Sequence, residues 1–146
     1  MKATALVAAV LALGVAVVAL MRTFGGDPGY TDAQRADAKS SVCAAFETVR
    51  SGVATNTNAT PPGDIAGALA VAANARIALF DGGQYLLAKL DPATPPELAE
   101  DVRTFANELM DIGAAATAGA PNDDPEQAGR LRDAEAASAA VNGHCR

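Results

Sequence analysis

Apolar side chains recur along this chain at helical spacing, and they divide it into one continuous apolar run followed by four amphipathic segments. Ala3 to Met21 is uncharged and bounded by Lys2 and Arg22, long enough to cross a bilayer core as a helix. Gly25 to Gly29 then reads as a short flexible linker. Val42, Phe46, Val49 and Val53 recur at intervals of 4, 3 and 4 residues. They form one stripe of a helix that Thr31 caps, with Gln34 completing a capping box, and that runs to about Thr55. Asn56 to Pro62 ends it as a polar loop.

The stretch from Ile65 to Leu90 reads as the helix around which the rest is organised. At 100° per residue Ile65, Leu69, Ala72, Ala73, Leu79 and Phe80 share a sector, which predicts a broad buried face, continued by Leu87 and Leu90 if the phase is kept. Gly82 and Gly83 predict an interruption or kink near Asp81. Asp91 to Pro96 is a loop, and Thr94-Pro95-Pro96-Glu97 predicts a helix start with Thr94 as N-cap, Pro95 at the first helical position and Glu97 closing the box. Leu98, Val102, Phe105, Leu109, Ile112 and Ala116 give the third helix the cleanest period, and Gly119 and Pro121 stop it. Asp124 caps a fourth helix with Pro125 first and Gln127 third; its stripe of Leu131, Ala134, Ser138, Val141 and Cys145 is narrow and weakly apolar.

No segment of strand length alternates with period 2, so the expected class is all-α: an N-terminal transmembrane helix followed by a small antiparallel four-helix bundle. The expected division is residues 1–24 as the anchor, 25–30 as the linker and 31–146 as one helical domain. At 146 residues the chain can bury one modest core. Aromatics make up 4% and tryptophan is absent, so alanine-rich helices must approach closely.

Charge and the leader set the expected location. All 17 acidic residues lie at or beyond Asp27, and of the 11 Lys and Arg, Lys2 and Arg22 flank the leader, leaving −8 on the remainder. Such a domain repels nucleic acid. The apolar run exceeds an ordinary signal-peptide core and shows no clean small-residue exit, so an uncleaved anchor through residues 3–21 is expected; a cleaved signal peptide, with Val17 to Ala19 as its exit, is the alternative. With only Met1 and Lys2 ahead of the span, the favoured topology is N-terminus inside and helical domain outside the cytoplasmic membrane.

Two cysteines in a domain so placed predict one disulfide, Cys43 to Cys145. Both can face the seam between the first and last helices. Closing a loop of about 100 residues stabilises by roughly 4 kcal/mol in the chain-entropy model. Because Cys43 lies well inside its helix and Cys145 ends its own, residues 31 to about 42 are expected to project as a stalk.

The segments VCAAFETVRSGVATNTN, AVAANARIALFDGGQYLLAKL and DPATPPELAEDVR together resemble a family of mycobacterial and other actinobacterial alanine- and proline-rich single-span membrane proteins. The likeness covers about residues 41–146 and the general design of one N-terminal span. It implies a cell-envelope setting and brings no catalytic residue, because the family carries no established activity.

Site chemistry is sparse. His144 is the single histidine, and adjacent helical positions turn it about 100° from Cys145, which argues against a Cys-His nucleophile pair. Three His and Cys residues in all are too few for a zinc site, and no phosphate-loop, hydrolase-elbow or metalloprotease pattern occurs. No enzyme activity, metal or cofactor is expected. Asn58-Ala59-Thr60 matches a glycosylation acceptor, but three-residue patterns of this kind arise by accident and an ordinary surface loop is the favoured reading. Arg76 stands out at the centre of the second helix's apolar sector, where it is expected to be buried and paired, with Glu47, Glu108 or Asp111 as partner, or to read a ligand. Two functions are consistent with this inventory. One is a membrane-anchored binding or accessory module that docks on a membrane complex or envelope component. The other is a carrier of a small apolar ligand or lipid, which a pocket lined by Phe46, Phe80, Leu87 and Phe105 would favour.

Overall fold

Four helices account for the domain in the computed structural model, which describes residues 29–146: α1 (Asp32–Thr57), α2 (Ile65–Lys89), α3 (Pro96–Thr117) and α4 (Pro125–Cys145), with no strand among the described residues. The expected anchor, its cleavage alternative and most of the linker lie outside the described residues. Neighbouring helices run antiparallel. Gly83 of α2 lies against Ala106 of α3 while Leu79 lies against Gly113, and Gln127 at the start of α4 reaches Ile112 late in α3 while His144 at its end reaches Asp101.

The helix ends follow from their side chains. Asp64 caps α2 by accepting from the Gly67 amide at 2.7 Å, and Asp124 caps α4 by accepting from the amides of Glu126 and Gln127. At the end of α1, Asn56, Thr57 and Asn58 donate to the carbonyls of Gly52, Val53 and Ala54, so polar residues expected in the loop instead bond back to the helix one turn earlier. The start of α3 differs from expectation. Pro95 is the N-cap and Pro96 the first helical residue, and Thr94 is buried with its hydroxyl unpartnered. An Asp91 turn holds the chain there: its carboxylate accepts from the Ala93 amide and its carbonyl from the Thr94 amide.

The central helix is α3. Leu98, Val102, Phe105, Leu109 and Ile112 are all buried, joined on that face by Ala99, Ala106 and Gly113. They meet Val42, Ala45, Phe46 and Val49 of α1, Leu79 and Leu86 of α2, and Ala134, Ala137 and Val141 of α4. Phe46 and Phe105 pack edge to face with ring centroids 5.4 Å apart.

The reading of α2 needs correction in two respects. Its buried residues are Leu79, Gly83 and Leu86, while Ile65, Leu69, Ala73 and Phe80 are exposed, Ile65 to 80%; the packed face is turned by about 50° from the one expected. Second, α2 passes unbroken through Gly82 and Gly83. A Cβ at Gly82 would lie 2.8 Å from Val49 Cγ1, and one at Gly83 2.5 Å from the Ala106 carbonyl oxygen. The pair is a site of close approach to α1 on one side and α3 on the other, and this approach decides which way the helix faces. Among the described residues α2 is the one helix long and apolar enough to cross a membrane by length and composition.

A disulfide joins Cys43 to Cys145, with Cα atoms 5.6 Å apart and a sequence separation of 102. Helix α1 continues beyond it toward its own N-terminus for about three turns. Of those residues Ala38 and Val42 are buried, Arg35 is half-buried and the rest are exposed, so the exposed extension is shorter than the expected stalk.

Candidate binding cleft

The four helices diverge at the end of the bundle opposite the disulfide. Helices α1 and α4 meet chiefly near Cys43 and Cys145, and farther up they part. Between them, floored by α2 and α3, lies a cleft of about 840 Å³, within the range of small-molecule sites.

Its walls come from every helix. Val53 and Ala54 of α1, Ala72, Ala75 and Leu79 of α2, Phe105, Leu109, Ile112 and Ala116 of α3, and Leu131 and Ala134 of α4 supply apolar surface. Alanine is the reason for the space. At this end Ala54, Ala72, Ala75, Ala116 and Ala134 place single methyl groups among the larger wall side chains, whereas at the closed end Phe46, Leu86, Leu98, Val102 and Val141 are fully buried. Polar groups line the rest: Arg50, Asn58, Arg76, Asn122, Glu135 and Ser138.

Arg76 is half-buried. It forms no ion pair or side-chain hydrogen bond with Glu47, Glu108, Asp111 or any other described residue, contrary to expectation. The reason is the rotation of α2: its Gly-lined face turns toward α3, and Arg76 is carried to the cleft wall. Arg50, by contrast, is held by Glu47 at 2.8 Å on its own helix. No protein-family model, no curated protein and no solved structure matches this chain.

The other residues of chemical interest sit elsewhere. The Cys145 thiol is consumed by the disulfide, and the neighbouring His144 Nε2 lies 3.0 Å from Asp101 Oδ2, tying the end of α4 to α3. Among the described residues no group of three or more His, Cys, Asp or Glu side chains could hold a metal. Gln127, expected in a capping box, is fully buried; its Nε2 donates to the Ile112 carbonyl at 3.1 Å and its Oε1 accepts from Arg130.

Of the four residues expected around a pocket, Phe105 alone lines the cleft. Phe46 is buried in the closed core, Leu87 is half-buried against it and Phe80 is exposed. Val53, Leu109, Ile112 and Leu131 are among the lining residues that the helical spacing assigned to core stripes, and spacing alone does not separate a cleft wall from a closed core.

Proposed function

We propose that this chain is a non-catalytic binding module, tethered to the cytoplasmic membrane through residues 3–21 with its helical domain on the extracytoplasmic side of a cell envelope, and that it carries a small apolar ligand or lipid. The cleft carries this reading: a cavity of about 840 Å³ with walls from all four helices and a mainly hydrocarbon lining suits an apolar guest. The Cys43–Cys145 bridge supports an oxidising compartment. It also pins the closed end, leaving the other end free to adapt to a guest.

The test is native mass spectrometry of the full chain extracted gently from membranes. One lipid-sized guest per chain should survive extraction, and Ala54→Trp, which fills the cleft from an exposed position on its wall, should remove it without lowering the melting temperature. Guest-free protein in both cases sinks the carrier reading.

A docking module is the second reading, and the outward face of α2 favours it. Leu69, Ile77 and Phe80 are exposed on one helix, forming an apolar surface of the kind partners cover. A co-purifying protein lost with Leu69→Asp and Ile77→Asp, while the guest is retained, would support this role.

A further inference from the structure

Arg76 makes the cleft more than an apolar slot. It is a half-buried residue in a wall otherwise formed by Ala72, Ala75 and Leu79 of the same helix, and no described carboxylate pairs with it. A guanidinium's planar fork matches an oxyacid in two parallel hydrogen bonds. Across the cleft, Glu135 on α4 is exposed and also unpaired among the described residues; it disfavours a head with more than one negative charge and leaves the α2 wall as the place for an anion.

Resting on the carrier reading, we infer that the guest is an amphiphile with one apolar chain and a monoanionic oxyacid head, of which a long-chain carboxylate is the simplest. Its head pairs with Arg76, and its chain lies along Leu109, Ile112 and Leu131. The neighbouring Arg50 is already held by Glu47, so Arg76 is the cation that an incoming head finds open.

The test uses the full chain in isolated membranes and two photoreactive, alkyne-tagged probes of identical chain length, palmitic acid and palmityl alcohol, with labelled peptides assigned by mass spectrometry. In the wild type the acid should label cleft peptides of α2 and α4 at a half-saturating concentration about tenfold below that of the alcohol, the size expected of one charge-assisted pair. Arg76→Leu should raise the acid's half-saturation about tenfold and leave the alcohol's unchanged, which also shows that the variant's cleft is intact. Arg76→Lys should fall between. Equal labelling of the cleft by acid and alcohol, with no effect of Arg76→Leu, overturns the head-group assignment and leaves the carrier reading standing. Absence of cleft labelling by both probes overturns the two together.

Discussion

Gly83 of α2 and Ala106 of α3 approach so closely that the Cβ of any other residue at position 83 would lie 2.5 Å from the Ala106 carbonyl oxygen. A backbone oxygen inside a helix has no rotamer to escape into, so the contact sets how near the two helices lie and which face of α2 is buried.

Gly83→Ala should therefore destabilise the domain by about 1–3 kcal/mol, the typical cost of overpacking. Gly52 is an instructive contrast: it lies in the interior of α1 with nothing near its would-be Cβ, and Gly52→Ala should stabilise by about 0.5–1 kcal/mol through helix propensity. Urea denaturation of the two variants checks the opposite signs; a stabilised Gly83→Ala would disprove the close approach.

Gln127 ties α4 to α3 from a fully buried position, donating to the Ile112 carbonyl. Gln127→Leu keeps most of the volume and should cost about 1 kcal/mol for the lost hydrogen bond. Gln127→Ala adds a cavity and should cost about 2–4 kcal/mol. Thermal melts of both should rank them in that order.

The disulfide closes the one seam where adjacent helices otherwise touch little. Replacing Cys43 and Cys145 by serine should lower stability by about 4 kcal/mol on the chain-entropy account, and hydrogen exchange should rise first in α4, half of whose buried side chains are alanines. Equal melting of the oxidised and serine forms would show that the bridge contributes nothing.

Burial, followed by the nearby Asp133 and Asp111 carboxylates, raises the Glu108 pKa above its ordinary value, with Arg130 partly opposing. The sign follows from linkage. The folded state holds this proton more tightly than the unfolded state, so the group's contribution is most favourable below the ordinary glutamate pKa and is lost as pH rises through the raised folded value. Glu108→Gln should consequently melt higher than wild type at neutral pH and level with it below about pH 4. A gap that widens on acidification would contradict the assignment.

Helix α3 shows how far pattern alone reaches. Its apolar positions keep a strict alternation of 4 and 3, its exterior is charged, and the five large members of that stripe are buried. The start of α4 was equally legible, because Asp124 ahead of its helical run can satisfy the amides of that run. Thr94 was misread because two prolines follow it. They lack amide hydrogens, so little is left there for a threonine to cap, and the Asp91 turn fixes the chain instead.

Sequence by itself determined that this domain is helical, where its four helices lie, and that Cys43 and Cys145 could meet, since periodicity, caps and breakers act within a few residues of one another. Which face of α2 is buried was left to the tertiary structure. That helix is apolar or small almost all round, so its amphipathicity is too weak to orient it, and the choice fell to the shortest available approach, the glycines against Val49 and Ala106. The cleft and the unpaired Arg76 on its wall follow from that rotation. Both depend on the register between helices, and register is a property of side-chain fit across space rather than of spacing along the chain.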